Sequence, residues 1–258
     1  MVPTVPLRAS TEGYASVVPW YYAVAERDHE LQNPTSAAKI QLLGERVRLG
    51  PETRVLDMAC GSGGPAILLA AAFGCPILGV ERSPDFVARG RERVAAAGLE
   101  ELIEIVEADA KEYPLEPAAF DVALCLGASF AWGGLEATLA ALAPAVRPGG
   151  YVAVGEPYWR TWPPPGGVDD IGAVTLLETV CRFDAAGLAM VTLIASSDDD
   201  WDAYESLHWR AIEEWLAESP DDPDAPGIRT RYLENRDAYL GRERALLGWA
   251  IFAARKRG

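Results

Sequence analysis

The fold is decided by the stretch Val55-Leu56-Asp57-Met58-Ala59-Cys60-Gly61-Ser62-Gly63-Gly64-Pro65. An apolar strand runs through the acid Asp57, turns through glycines and opens a helix. Glycines let the backbone approach a ligand closely where a β-carbon would clash. The N-terminus of the following helix presents free N–H groups to an anionic group, and the Asp57 carboxylate suits a cationic amine. The stretch therefore predicts a loop that binds a ligand carrying both charges.

Two further acids, Glu81 and Asp109, follow the next two apolar runs of the sequence. The carboxyl ends of successive parallel strands line one crevice, so these acids are expected beside the glycine loop. Glu81 is placed to accept hydrogen bonds from a ribose diol, and Asp109 to bind the exocyclic amine of an adenine. A ligand with an ammonium, a carboxylate, a ribose and an adenine suits this set of groups, and S-adenosylmethionine has all four.

Short apolar runs alternate with helical patterns between Arg54 and Ala153, which is typical of a parallel sheet covered by helices. Little polar alternation interrupts the runs, as expected of strands that are buried on both faces. Two further runs near the C-terminus read as additional strands. The predicted strands span residues 54–58, 76–81, 102–106, 120–126, 151–155, 188–195 and 247–253.

Local signals predict where several helices and turns begin or end. Ser83 is an N-cap before a proline and an acid, and Gly98 closes the helix that it opens. A second helix over 134–143 is expected to stop at Pro144. The Arg-Pro-Gly-Gly run at 147–150 predicts a turn before the fifth strand.

The flanks of this region differ from it in composition. Asn33 and Pro34 are expected to cap an N-terminal helix that runs to about Arg48. The stretch 198–224 is acidic, helical in pattern and rich in Trp and Tyr, and it carries His208. We interpret this stretch as a lid over a substrate.

Composition and charge describe an ordinary globular protein, with 50% hydrophobic residues, 24% charged residues and a mean hydropathy of +0.03. The net charge of −15 argues against a nucleic-acid substrate, because such a protein needs a positive surface to replace released counterions. No apolar run reaches the roughly 18–20 residues that cross a bilayer, and the N-terminal residues lack the pattern of a signal peptide. We therefore expect a cytoplasmic location and no membrane partner, whereas the oligomeric state stays open.

Side chains that commonly bind transition metals are scarce. The chain has four cysteines and two histidines, which are Cys60, Cys75, Cys125, Cys181, His29 and His208. None of the cysteines forms the closely spaced pair that is typical of zinc sites. We therefore expect no metal cofactor.

The glycine loop and the strand-end acids resemble those of class I S-adenosylmethionine-dependent methyltransferases. The run 147–150 also lies where that family has its turn before the fifth strand. The family's signature residues stand at Asp57, Gly61, Gly63, Glu81 and Asp109.

Two flanking patterns, His29-x-x-x-Asn33-Pro34 and residues 155–159, are similar to a bacterial, small-molecule-type branch of that family. The resemblance implies a three-layer α/β/α Rossmann-like methyltransferase fold, whose mostly parallel seven-stranded sheet has an antiparallel last strand. It also implies one methyltransferase domain with four parts. These are a helical cap (1–50), a cofactor-binding core (51–156), substrate and lid elements with the sixth strand (157–246) and the final antiparallel strand (247–258).

The resemblance also implies which residues bind the cofactor, S-adenosylmethionine, whose product is S-adenosylhomocysteine. They are Asp57, Ala59, Gly61, Gly63, Glu81, Arg82, Asp109, Ala110 and Leu126. The main alternative is a NAD-type dinucleotide-binding oxidoreductase, because the loop also fits the loose pattern Gly61-x-Gly63-x-x-Ala66. Asp57 argues against that alternative, since a carboxylate there would face a pyrophosphate unfavourably.

The sequence says less about the methyl acceptor, because methyl transfer depends mainly on holding a nucleophile and the methyl group in line. We expect a small molecule. An RNA or protein acceptor is the alternative, and it would need a basic patch around the crevice. A base is needed only where the nucleophile must lose a proton. The candidates for that base are His208, His29 and Glu156.

Candidate substrate contacts flank the expected mouth of the crevice. They are Tyr14, Tyr21, Ser129, Tyr158 and Trp159. Both histidines can also be interpreted as structural residues, and the aromatic side chains can also be interpreted as part of the packed core.

Overall fold

A mixed β-sheet forms the centre of the protein in a computed structural model, which describes residues 21–165 and 172–258. Along the sheet the strands lie in the order β3-β2-β1-β4-β5-β8-β7, and β6 pairs with β5 beside this path. The strands are β1 Val55–Met58, β2 Ile77–Glu81, β3 Ile103–Glu107, β4 Phe120–Leu126, β5 Val146–Trp159, β6 Val174–Thr175, β7 Leu188–Ala195 and β8 Leu247–Lys256.

The direction of the strands confirms the predicted sheet. Strands β1 to β5 pair in parallel, whereas β8 lies antiparallel to both β5 and β7. All the predicted strands are present. The two-residue strand β6 is an addition that was not predicted, because so short a segment has no hydrophobic period to read.

Helices cover both faces of the sheet and give the expected three layers. One face packs against α2, α3 and α4, and the other against α5 and α6. Helices α1, α7 and α8 pack against one another in a separate apolar cluster. The helices are α1 Tyr21–Ala25, α2 Ala37–Arg46, α3 Gly64–Phe73, α4 Pro84–Ala96, α5 Leu135–Ala145, α6 Leu176–Ala185, α7 Asp198–Glu218, α8 Ala225–Ala238 and α9 Arg244–Leu246, with a short 3-10 turn at Ser129–Trp132 and a π-helical turn at Tyr239–Glu243.

Three predicted boundaries were wrong by a few residues. Helix α5 includes Pro144 in its last turn, where a proline removes one backbone hydrogen bond of the helix but interrupts no further turn. The predicted turn at 147–150 lies inside β5, which starts at Val146 and carries an irregularity opposite β4. Helix α2 starts after the N-cap Ser36, so Asn33 does not cap it.

The acidic stretch between β7 and β8 is helical, as predicted. Helix α7 starts with a capping box, in which the Ser197 hydroxyl accepts from the Asp200 N–H and the Asp200 carboxylate accepts from the Ser197 N–H. Acids in the first turn of a helix are stabilised by its dipole, which accounts for the run 198–200. Among the helices of the described ranges, none is long and apolar enough to cross a bilayer.

Candidate active site

The glycine loop joins the end of β1 to the start of α3 with a backbone that is left-handed at three positions. Gly61 has φ +57° and Gly63 has φ +72°, a region in which glycine is favoured. Ala59 has φ +55°, which is uncommon for a residue with a β-carbon and is typical of functional turns. The loop thereby brings its backbone N–H groups to the carboxyl end of the sheet.

Asp57 is the most deeply buried acid of this region, with 2% of its surface exposed. Its Oδ2 atom accepts no hydrogen bond from any described residue. Burial, together with the nearby carboxylate of Glu81, raises the pKa of Asp57 to about 7. An acceptor oxygen that is buried without a donor is destabilising by itself, so the site is suited to a ligand that brings a cation.

Glu81 ends β2 beside the same loop, and its carboxylate is held by three backbone N–H groups. Oε2 accepts from Gly61 at 3.0 Å, and Oε1 accepts from Arg82 at 2.9 Å and from Ser83 at 2.8 Å. These contacts hold a buried carboxylate at the crevice with its oxygens oriented. Arg82 was predicted to contact the cofactor, and in the structure its backbone N–H donates to the Glu81 carboxylate.

Asp109 and Ala110 follow β3, one strand further along the sheet. Asp109 is exposed, and its Oδ1 accepts from the Lys111 N–H at 2.8 Å, whereas Ala110 is buried. Because β1, β2 and β3 are neighbours, the acids that follow them lie along one edge of the sheet, as the sequence predicts.

These residues fit S-adenosylmethionine. The Asp57 oxygen without a donor suits an ammonium, the oriented Glu81 carboxylate suits a pair of hydroxyls, and the start of α3 suits a carboxylate. The carbonyl of Leu126, at the end of β4, supplies another acceptor at the same edge.

Ser129 and Glu156 form a second polar pair: Ser129 lies in the 3-10 turn that follows β4, and Glu156 lies near the end of β5. The structure brings these two predicted residues together, because β4 and β5 are adjacent parallel strands. Burial raises the pKa of Glu156 to about 7, although a hydrogen bond from Ser129 and the charge of Arg182 oppose the shift. The Glu156 Oε1 atom has no partner within the described part of the chain.

The two histidines lie together between the N-terminal segment and α7. Their ring centroids are 4.4 Å apart, and His29 Nε2 lies 2.9 Å from the carbonyl oxygen of Tyr204. His208 lies 3.8 Å from Glu26 and 3.9 Å from Glu205.

The surroundings of the histidines shift their pKa values in opposite directions. Burial lowers the pKa of His208, but the carboxylates of Glu205 and Glu26 outweigh burial and raise it overall. Burial and the charge of His208 lower the pKa of His29. These shifts favour the charged form of His208, which lies between two acids, and the neutral form of its neighbour His29.

Comparison with known proteins decides the family. A sequence model for a methyltransferase domain matches residues 55–150. A SAM-dependent methyltransferase of Geobacter sulfurreducens, solved in complex with S-adenosyl-L-homocysteine, is 31% identical with a TM-score of 0.87. The match covers 93% of this chain and 99% of that one. The Escherichia coli protein YjhP is also 31% identical, over 92% of this chain and 98% of its own.

The chain belongs to the S-adenosylmethionine-dependent methyltransferases. A further relative, the 27-O-demethylrifamycin SV methyltransferase of Amycolatopsis mediterranei, is 28% identical over 79% of this chain and 77% of its own. The predicted enzyme class and cofactor are confirmed, and the dinucleotide oxidoreductase is not favoured. Among the described residues of the methyltransferase, no group of three His, Cys, Asp or Glu side chains is arranged to bind a metal.

The predicted aromatic contacts lie in different parts of the methyltransferase. Tyr21 is buried in the cluster of α1, α7 and α8, with the Arg231 guanidinium 5.4 Å from its ring centre. Trp159 is buried in the core, and Tyr158, on the opposite face of β5, covers Gly248. Tyr21 and Trp159 are thus observed in packing environments, and Tyr14 lies outside the described residues.

One residue at the crevice has no signal in the sequence. The side-chain oxygen of Gln32 accepts from the Ser62 N–H of the glycine loop at 2.6 Å. A single glutamine in an irregular segment matches no motif, and its partner is set only by the folded chain.

Proposed function

We propose that the methyltransferase transfers a methyl group to a small molecule, which binds beside Ser129 and Glu156. The observation that carries this proposal is the half-buried side chain of Glu156 near the end of β5, whose Oε1 atom is buried and unpartnered among the described residues. A carboxylate whose pKa is about 7 is suited to accept a proton at neutral pH.

S-adenosylmethionine, when bound, would supply a sulfonium methyl group, to whose carbon a nucleophile of the acceptor bonds in line while the sulfur–carbon bond breaks and S-adenosylhomocysteine leaves. The chain binds and orients both partners. Asp57 would accept from the cofactor's ammonium and Glu81 from its ribose hydroxyls. Glu156 would accept the proton of an acceptor hydroxyl or amine, with Ser129 orienting its carboxylate. Positioning of this kind contributes much of the rate of a two-substrate reaction.

Charge and one relative support a small acceptor. The net charge of −15 disfavours contact with the phosphates of a nucleic acid. The Amycolatopsis mediterranei relative is named for the methylation of a demethylrifamycin, which is a small molecule.

We assign different roles to the two histidines within this proposal. His208, on α7, lies between Glu26 and Glu205. When protonated, it forms an ion pair with Glu26 and so links the segment before α2 to α7. We therefore propose a stabilising role for His208 in place of proton transfer. Burial lowers the pKa of His29 and its Nδ1 has no partner within the described ranges, so His29 is the second candidate for the base.

The test measures S-adenosylhomocysteine release when purified methyltransferase and S-adenosylmethionine are given separate pools of small metabolites, RNA and protein. We expect release only with the metabolite pools. Release with RNA or protein alone would overturn the proposal. The predicted cytoplasmic location belongs to the same proposal, and cell fractionation tests it.

Once an acceptor is found, the base is tested with Glu156→Gln, with Glu116→Gln at an exposed position as the matched control. General-base catalysis is worth about 100-fold or more, so we expect Glu156→Gln to lower turnover by that factor. Turnover of the unchanged protein should rise as pH increases through about 7, because the base must be ionised. Equal turnover of both variants would remove Glu156 from this role.

A further inference from the structure

Residues 29–34, here called the strap, lie across the carboxyl edge of the sheet. The Gln32 oxygen accepts from the Ser62 N–H at 2.6 Å, and the Asn33 side-chain amide donates to the Leu126 carbonyl at 2.8 Å. At the far end of the strap, the Ser196 hydroxyl donates to the carbonyl of Pro34. The strap is thus attached to the glycine loop after β1, to the end of β4 and to the residue that follows β7.

Three glycines of the crevice leave room for the strap. A β-carbon on Gly61 would overlap the Gln32 side chain, one on Gly64 would overlap the Glu30 carbonyl, and one on Gly127 would overlap the Asn33 side chain. Glycine at these positions therefore serves close packing of the strap as well as access for a ligand.

The strap binds two backbone groups that adjoin the expected position of the amino-acid end of the cofactor. The Ser62 N–H lies just before α3, at the end of a helix that attracts a carboxylate. The Leu126 carbonyl can accept two hydrogen bonds, so Asn33 and an ammonium can share it. A strap and a cofactor that share the Leu126 carbonyl influence each other's binding, and the influence is reciprocal. Gln32 occupies the Ser62 N–H itself, so it acts on the cofactor only through the shape of the glycine loop.

The strap also connects the glycine loop to α7. The Gln32 amide nitrogen donates to the Glu26 carboxylate, and the Tyr204 hydroxyl lies 3.4 Å from the other oxygen of Glu26. A continuous set of hydrogen bonds therefore runs from Ser62 through Gln32 and Glu26 to α7.

We propose that Gln32 and Asn33 are cofactor-positioning residues, and that binding of the cofactor and closure of the strap stabilise each other. The bond to the Leu126 carbonyl orients this acceptor toward the crevice. The bond between Gln32 and Ser62 holds the glycine loop in its binding shape. This inference concerns the cofactor site alone and is independent of the proposed acceptor.

Calorimetry with S-adenosylhomocysteine tests the proposal without an acceptor. We expect Gln32→Ala and Asn33→Ala each to weaken binding by about tenfold, the scale of one hydrogen bond. Gln41→Ala, at an exposed position of α2, is the matched control and should bind normally. If both strap variants fold and bind within about twofold of the unchanged protein, the proposal is overturned.

Exchanging the amide and the carboxylate between positions 32 and 26 separates a positioning role of Gln32 from a general effect on stability. Gln32→Glu alone still accepts from Ser62 but places a second carboxylate beside Glu26, so we expect weak binding. Adding Glu26→Gln restores a donor between the two side chains, and binding should recover. No recovery, in a double variant that folds, would contradict the relay through Glu26.

The unchanged protein supplies a measurement that depends on no variant. Hydrogen exchange of the backbone amides at 29–33 should slow when S-adenosylhomocysteine is added, because closure protects them. Exchange that stays the same or becomes faster would overturn the proposed coupling.

Discussion

Asp57 lies next to the end of β1 and Glu81 ends the neighbouring strand β2, and burial together with the charge of Glu81 raises the pKa of Asp57 to about 7. Asp57 lies opposite Gly79 in the register of the two strands, and the Glu81 carboxylate accepts from Gly61 of the glycine loop. Two acids held this close favour a cation between or beside them. We therefore expect the pair to form a cofactor site whose affinity depends on pH.

Affinity for S-adenosylhomocysteine should rise with pH between about 5.5 and 8, by at most about tenfold per pH unit below 7. Asp57 must be ionised to bind an ammonium, and below pH 7 the proton that it carries has to be released first. Calorimetry across this pH range measures the effect. Asp57→Asn should bind weakly at every pH with a flatter profile, and a variant with the same slope as the unchanged protein would refute the assignment.

Asp57→Asn should also make the cofactor-free protein more stable at pH 8, on the order of 1–3 kcal/mol. A carboxyl with a raised folded-state pKa loses stability as pH rises from its unfolded value near 4 to about 7, and the loss is complete above that. The gain should therefore shrink as pH falls toward 4. Urea unfolding at both pH values measures it, with the exposed Asp109→Asn as control. A gain that is equal at both pH values would contradict this origin.

Gly61→Val should abolish S-adenosylhomocysteine binding and also lower stability by about 1–3 kcal/mol. The valine would meet Gln32 and would have to adopt a positive φ. Gly98→Val is the matched control, because Gly98 has a φ of +67° with open space around it. The control should lose comparable stability and bind normally. Normal binding by a folded Gly61→Val protein would place the cofactor elsewhere.

His208→Gln should destabilise the protein most at acid pH. A histidine with a raised folded-state pKa contributes stability below its unfolded value of about 6.5, and loses it as pH rises through the folded value. The difference in melting temperature from the unchanged protein should therefore be larger at pH 6 than at pH 9. His29→Gln is the control. Because the pKa of His29 is lowered, the difference in melting temperature for this variant should not be larger at pH 6 than at pH 9. A turnover loss in His208→Gln with unchanged stability would restore the catalytic interpretation.

Local signals in the sequence predicted the strands and the cofactor loop. Continuous apolar runs identify buried strands wherever they fall, and only glycine tolerates both the left-handed turn and the close contacts at Gly61. The acids Asp57 and Glu81 could be picked out from the sequence for the same reason, since each lies at or next to the end of a recognisable strand. These features depend on residues close together in the chain.

The tertiary structure alone decided which distant side chains meet. Ser129 pairs with Glu156 because β4 lies beside β5, His29 meets His208 because α7 folds back over the N-terminal segment, and Gln32 reaches the glycine loop across the sheet edge. Asn33 shows the difference most clearly. Its local pattern indicates a helix cap, but its side chain bonds to Leu126 instead, because the strap lies within hydrogen-bonding distance of β4 only in the folded chain. A side-chain hydrogen bond forms over about 3 Å, and sheet order, which no local pattern encodes, determines which groups come that close.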